Sequence, residues 1–303
     1  MKVLVTGGQG FIGRYVCQEL KDRGHQPVIF DRYHRRLLPP ASEFFLGDVT
    51  SPADCAEAFA HVDAFIHLAA VLGTQETIQN PTPAAHTNIL GGLNMLDAAA
   101  QYKTPGVYIG VGNHWMNNTY SITKTTIERF VDMYNNERGT CINIVRAMNA
   151  YGPRQEPAQP YGSARVRKIT PSFICRALNN DPIEIYGDGS QISDMVYVGD
   201  VAKALVLAME RAVDGIRLNR TVEIGPAVSN TVLEVAEMIK RLTASKSNIV
   251  HLPMRPGEIP HSIVSADIDT LEQINMYPAD LADLEWGMER TIEYYIGYLH
   301  AHS

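Results

Sequence analysis

Lys2-Val-Leu-Val-Thr6-Gly7-Gly8-Gln9-Gly10-Phe11-Ile12-Gly13 decides how the rest of the chain is read. The run to Thr6 has the apolar, β-branched character of a short buried strand, and a helical pattern from about Ile12 to Arg23 follows the glycines. Glycines at 7, 10 and 13 between a strand and a helix make a phosphate cradle. A pyrophosphate must come close to backbone N–H groups at a helix N-terminus, where the helix dipole is positive and side chains would be in the way. A second strand over Pro27–Phe30 ends at Asp31, about 18 residues after Gly13. A carboxylate there suits both hydroxyls of an adenosine ribose and repels a 2′-phosphate. NAD is therefore expected over NADP, although Arg32, Arg35 and Arg36 are what an NADP site would use.

Outward from this unit, strands and helices alternate. Strands are expected over 43–46, 64–68, 107–109 and 142–145, and helices over 53–60, 83–102 and 120–137. Such alternation without tight hairpins needs crossover connections, hence a parallel sheet covered on both faces. After Tyr151-Gly-Pro-Arg154 the pattern loosens, with apolar segments at 183–186, 194–198 and 221–224 and helices expected over 171–178, 198–211, 231–243 and 283–299. The expectation is an α/β protein. A Rossmann-type doubly wound domain takes residues 1–160, with some later elements packing back, and a smaller C-terminal α/β domain, 161–303, holds the substrate.

Composition narrows the function classes. Of 303 residues, 45% are hydrophobic and 19% charged, with a net charge of −7. This excludes a largely disordered chain and argues against a nucleic-acid-coating protein, which needs a basic face. No apolar run reaches the ~20 residues of a membrane span. Cys17, Cys55, Cys141 and Cys175 are widely spaced, with no zinc-like pattern, so free thiols, no metal and a cytoplasmic location are expected.

Tyr120-Ser-Ile-Thr-Lys124 places a tyrosine and a lysine four apart, on one helical face. A phenol at its ordinary pKa of ~10 is a poor base at neutral pH. A neighbouring ammonium and a bound nicotinamide cation favour the phenolate, which can then take a proton from a sugar hydroxyl.

With these motifs the chain resembles the extended short-chain dehydrogenase/reductase superfamily, in its NAD-dependent epimerase/dehydratase branch acting on nucleotide sugars. The resemblance runs nearly end to end. It implies Tyr120 as catalytic base and Lys124 as its activator, both also touching the cofactor. Gly7, Gly10, Phe11, Ile12, Gly13, Asp31 and Arg32 would form the cofactor's first contacts. Asp48 and Val49 would lie against adenine, Leu68, Ala69 and Ala70 under the ribose and phosphates, and Asn88 by the nicotinamide ribose. Asn149 and Arg255 would hold the substrate diphosphate, and His114 is a further substrate-binding candidate. Asp48 also suits a turn, Asn149 the satisfying of backbone groups, and His67 a structural role. The resemblance further implies a homodimer through the helix starting at Tyr120 and the one carrying Leu93 and Leu96.

Two departures stand out. The family pattern resembles Val-Tyr-x-Ser-Ser-Ser/Thr after the fifth strand, supplying a hydroxyl for the reacting sugar oxygen. Here the sequence is Val107-Tyr-Ile-Gly110-Val111-Gly112-Asn113-His114-Trp115-Met116, with Tyr120 eight residues past Gly112. Asn113, His114, Ser121 and Thr123 are the candidates to substitute, Thr123 the poorest because it leaves the helix from another face. Ser193 stands where the family commonly has an arginine. A 4,6-dehydratase would need a carboxylate pair that the stretch from Gly106 to Glu128 does not provide. The leading expectation is an NAD-dependent nucleotide-sugar epimerase, with a dehydratase or oxidoreductase of the same family as the alternative. A non-catalytic NAD-binding sensor or scaffold is the alternative of another class.

Overall fold

The structure is a computed structural model that describes residues 1–34 and 43–302; Arg35 and Arg36 lie outside the described residues. The first half alternates strand and helix: β1 (Lys2–Thr6), α1 (Phe11–Asp22), β2 (Gln26–Asp31), β3 (Glu43–Leu46), α2 (Pro52–Phe59) and β4 (Ala64–His67). Then come α3 (Thr74–Gln79), α4 (Thr82–Ala84), a π-helical stretch (Ala85–Leu90), α5 (Gly91–Tyr102), β5 (Gly106–Val111), α6 (Thr119–Glu137) and β6 (Ile142–Ala147). The single helix expected over 83–102 is thus interrupted by the π stretch, and α3 had no counterpart in the sequence reading. The second half holds β7 (Asn149–Tyr151), α7 (Ile169–Asn179), β8 (Ile183–Tyr186), β9 (Ile192–Ser193), β10 (Met195–Tyr197), α8 (Val198–Val213) and β11 (Val222–Ile224). It ends with α9 (Val232–Leu242), β12 (Ile249–Leu252), β13 (Ile263–Val264) and α10 (Leu284–His302).

Seven strands form one parallel sheet in the order β11-β6-β5-β4-β1-β2-β3. Period-two alternation sorts their side chains into two layers. Val3, Val5, Ile29, Ile66, Val107 and Val145 pack on one face with Val16, Cys17 and Leu20 of α1 and the apolar side of α8. Leu4, Val28, Phe30, Phe65, Tyr108 and Ile144 pack on the other with α2, α5 and α6. This is the doubly wound Rossmann-type sheet.

Two later elements join it. The apolar segment at 221–224 becomes the edge strand β11, with Val222 opposite Val145. Helix α8 covers the α1 face and is tied to it where Arg23 meets Glu210 at 2.6 Å. The remaining C-terminal elements build a third core from α7, β8, α9 and α10, including Phe173, Ile185, Ile239, Met288 and Tyr295. Helix α9 starts in a capping box in which Thr231 and Glu234 satisfy each other's backbone N–H.

Leu96, Ile127, Val131 and Tyr134 lie inside the chain's own core. The outward sides of that helical layer carry Leu90, Tyr102, Ile122 and Met133 instead. Among the described residues no helix is long and apolar enough to cross a membrane.

Candidate active site

The sheet order reverses between β1 and β4, because β2 and β3 extend to one side of β1 and the later strands to the other. A crevice opens at such a point along the carboxyl ends of the strands. Here it is a cleft of about 690 Å³, lined by Gly7, Asp31, Leu68, Gly112, Tyr120 and Lys124 from the sheet half and by Arg165, Lys168, Tyr186, Ser193 and Arg255 opposite.

The glycine loop has the backbone that its sequence demands. Gly7 adopts φ +67°, and a Cβ on Gly13 would sit 2.7 Å from Gly8 Cα, so neither position tolerates a side chain easily. Helix α1 begins after Gly10 with no side-chain cap. The amides of its first turn must be satisfied from outside the helix, and Gly10, Phe11, Ile12 and Gly13 all line the cleft. These residues fit a dinucleotide pyrophosphate. At the end of β2, Asp31 also lines the cleft, and its carboxylate accepts the backbone N–H of Gln9 at 3.3 Å and of Arg32 at 2.8 Å. Arg32 faces Asp48 at 3.7 Å, which sets a second carboxylate against the arginine that an NADP site would need.

A hub beneath the loop gives His67 the structural role expected of it, while the part played by Thr6 was missed from sequence. Thr6 Oγ1 accepts the N–H of Leu68 and of Ala69, both at 3.1 Å, and lies 2.7 Å from His67 Nδ1. The hydroxyl has one hydrogen left to give, so Nδ1 is the acceptor and the ring's own proton sits on Nε2. Burial agrees, pulling the imidazole down to about 3, with the Lys124 charge acting in the same sense. A polar Thr6 closing an otherwise apolar strand just before the glycines was the available signal.

Helix α6 presents the Tyr–Lys pair. Asn118 caps it, its Oδ1 accepting Ser121 N at 3.0 Å, and Tyr120 lies in the first turn. Lys124 is 1% exposed, so its charge is strongly desolvated. Burial pushes the Lys124 ammonium down to about 7, opposed by the Glu128 carboxylate, and pushes the Tyr120 phenol up to about 12. The ammonium sits 4.2 Å from the centre of the Tyr108 ring, whose hydroxyl donates to Lys124 O at 3.1 Å. Glu128 is itself held by Arg146 at 2.6 Å, and Arg146 reaches Glu223 of β11 at 3.2 Å. The edge strand β11 therefore braces α6.

Three expected site residues stay out of the cleft lining among the described residues. Asn88 bonds both backbone groups of Val71, at 2.8 and 3.1 Å, and donates to Thr123 Oγ1 at 3.0 Å. It fastens the segment after β4 to α6. Asp48 Oδ1 accepts from Thr50 N and Oγ1, both at 2.9 Å, in a turn, while its neighbour Val49 lines the cleft. The His114 ring turns back to the carbonyl of Gly112 at 3.2 Å. Phe11, Ile12, Arg32, Leu68, Ala69, Ala70, Asn149 and Arg255 do line it.

At the β5–α6 turn, a Cβ on Gly112 would overlap Met148 Sδ and lie 3.1 Å from Met148 Cα. The thioether fills the space that a hydroxyl-bearing side chain there would take. On the opposite wall Asn149 Nδ2 donates to Ser193 Oγ at 2.6 Å. Arg167 binds Glu184 at 2.6 Å and the Tyr186 hydroxyl at 3.0 Å. Arg255 lies 4.7 Å from the Tyr186 ring centre, pairs with Glu258, and has a buried Nε without a hydrogen-bond partner. Beside it, burial lowers the Lys168 ammonium, with Glu76 the chief opposing influence. Met148 was not anticipated, and nothing in its local sequence marks it, whereas Lys168 belongs to the short basic cluster with Arg165 and Arg167 that the sequence shows, and all three line the cleft.

Residues 3–225 match the model of the NAD dependent epimerase/dehydratase family. A putative UDP-glucose 4-epimerase of Methanocaldococcus jannaschii is 30% identical over 96% of this chain and 97% of its own. A UDP-N-acetyl-alpha-D-glucosaminuronate decarboxylase of Bacillus cytotoxicus is also 30% identical, over 97% of each chain. Among solved structures, the UDP-glucose 4-epimerase of Thermotoga maritima with UDP-glucose superposes with a TM-score of 0.86 at 27% identity, covering 99% of this chain and 100% of that one. The Thermus thermophilus UDP-glucose 4-epimerase complex with NAD gives 0.84 at 27% identity, covering 98% and 99%.

Proposed function

The chain belongs to the NAD-dependent epimerase/dehydratase family, and we propose that within it the protein epimerises the sugar of a nucleoside diphosphate sugar. It is an NAD-dependent enzyme of sugar-nucleotide chemistry. NAD, when bound, supplies the acceptor that takes a hydride from the sugar carbon and gives it back, and its nicotinamide cation adds positive charge beside the phenol.

The chain's own residues supply the rest. The cradle of Gly7, Gly10 and Gly13 receives the pyrophosphate, and Asp31 accepts from the ribose hydroxyls. Tyr120 takes the proton of the sugar hydroxyl and later returns it. Lys124, four residues on along the same helical face, supplies in its ammonium form the positive charge that favours the Tyr120 phenolate. Arg255, with Asn149 and Lys168 along the same wall, holds the substrate diphosphate. A homodimer through the outward faces of α5 and α6, which carry Tyr102, Ile122 and Met133, belongs to the same proposal.

One observation carries the choice of epimerase. The cleft-lining residues at the ends of β5 and β6 and in the turn before Tyr120, namely Ile109, Val111, Gly112, Asn113, Met116 and Met148, include no carboxylate, and the cleft's carboxylates, Asp31, Glu76, Glu156, Glu184 and Glu258, come from other segments. Removal of water or of carbon dioxide calls for a further acid or base near the reacting carbon, whereas epimerisation asks only for oxidation, a change of face and reduction.

Mass spectrometry of ligands copurifying with the protein, followed by a screen over UDP-, dTDP-, GDP- and CDP-sugars, tests the reading. Interconversion of two sugar nucleotides of equal mass is the expected result. A product lighter by water or carbon dioxide would replace it with the dehydratase or decarboxylase alternative, and cofactor binding without turnover of any sugar nucleotide would favour a sensor.

A further inference from the structure

We propose that the side-chain amide of Asn113 donates the hydrogen bond that orients and polarises the reacting sugar oxygen opposite Tyr120; this rests on the epimerase reading above. When the sugar carbon is oxidised, its oxygen passes from hydroxyl to carbonyl, and the return step builds negative charge on that carbonyl oxygen. A donor fixed beforehand in a water-poor wall stabilises that charge strongly. The donor must therefore be polar, cleft-facing and free to exchange its present partner.

The polar side chains nearest to Tyr120 in sequence meet this requirement unequally. Thr123 Oγ1 donates to the Tyr120 carbonyl at 3.0 Å and accepts from Asn88 at 3.0 Å, so it is spent on holding the helix. Ser121 is fully buried and, although its Oγ also lacks a partner, it does not line the cleft. His114 is turned onto Gly112 O, and Thr125 bonds the carbonyls of His114 and Ser121 at 3.2 and 2.8 Å.

Asn113 differs from all of these. It lines the cleft with Tyr120 and Lys124, at the carboxyl end of β5. Its Nδ2 is directed at the Met116 thioether, 3.6 Å away, and its buried Oδ1 has no hydrogen-bond partner. A thioether is a weak acceptor, surrendered at small cost to a sugar oxygen. An unpaired buried carbonyl is itself costly, which implies a polar partner in the working complex. A substrate hydroxyl next to the reacting one can supply it.

The amide meets Met116, and the adjoining Gly112 packs on Met148, with both methionines 7% exposed. In that apolar setting one donor counts for more than it would in water. An amide cannot pass a proton on as a hydroxyl can. The proposal therefore adds no proton or electron transfer, and Tyr120 handles the proton alone.

The test uses the full chain with NAD and three substrates, UDP-glucose, UDP-N-acetylglucosamine and UDP-glucuronate. Wild type is compared with Asn113→Leu, Asn113→Asp, Asn113→Gln and Tyr120→Phe, each checked for fold and NAD affinity by thermal shift. Asn113→Leu and Asn113→Asp should each lower kcat on the substrate turned over by about 100-fold, with KM within threefold and NAD affinity unchanged. Asn113→Gln, which keeps the N–H donor, should recover at least tenfold over Asn113→Leu. Retention of full kcat in Asn113→Leu while Tyr120→Phe is inactive would overturn the role of Asn113 and leave the epimerase reading standing. Equal losses in the leucine and glutamine variants would likewise overturn it. Full activity in Tyr120→Phe, or no turnover of any of the three by wild type, would count against the reading beneath it.

Discussion

At one end of the cleft, the consecutive residues from Thr6 to Gly13 build the glycine cradle proposed for the cofactor, with Asp31 at the tip of the neighbouring strand. At the other end, Asn149, Arg167, Tyr186, Ser193 and Arg255 come from separate segments of the second half and meet only because those segments fold together. The cradle works through backbone: glycines give room, amides point outward, and no side chain caps the helix. The opposite wall works through side chains held by one another, as Arg167 is by Glu184 and Tyr186, and Arg255 by Tyr186 and Glu258. Backbone-built sites are sensitive to any added atom. Sites built from side-chain networks are sensitive to the loss of a partner.

The largest expected effect breaks the first end and leaves the second intact. In Gly13→Ala the new methyl meets backbone at Gly7 and Gly8, which cannot move aside without displacing β1 or α1. NAD affinity should fall by 100-fold or more, and stability by about 1–3 kcal/mol from overpacking. UDP affinity, measured by calorimetry, should change less than threefold. Equal losses for both ligands would show that the two ends are not independent.

A smaller effect sharpens the comparison through pH. His67 is neutral in the folded protein, at about 3 against an ordinary value of 6.5. Between these values the unfolded chain binds the extra proton, so stability falls as pH drops below 6.5 and the loss continues toward 3. From pH 7.5 to 5 this one group should cost about 2 kcal/mol. Urea unfolding of wild type and His67→Gln checks it, since glutamine offers Thr6 an acceptor but does not titrate. Parallel pH dependences in the two proteins would remove His67 from the hub.

The same contrast explains what the sequence made legible. The strand–glycine–helix unit, the alternation through β6 and the Tyr120–Lys124 spacing are local patterns, and each is found where it was read. The π stretch before α5 has no local signature, and the apolar segment at 221–224 carries none for its place as the edge strand β11, because both are set by packing against distant partners. In β11, the pairing of Val222 with Val145 joins segments far apart in the chain. Asn88 shows the limit from the other side. Its sequence context resembles a cofactor-facing position, yet its amide is committed to Val71 and Thr123. The consequence of Gly112 became readable only with Met148 in place beside it.

The central claim is reversible oxidation of a sugar carbon with Tyr120 as the proton acceptor. The most direct measurement follows the sugar nucleotide that copurifies with the protein from each side of its equilibrium, by chromatography and at the nicotinamide absorbance band, for wild type and Tyr120→Phe. The account predicts the same final ratio from both sides, no net change in the nicotinamide band, and a rate at least 1000-fold lower in the variant. Full activity in Tyr120→Phe, or steady accumulation of reduced cofactor with one-way conversion, would contradict it.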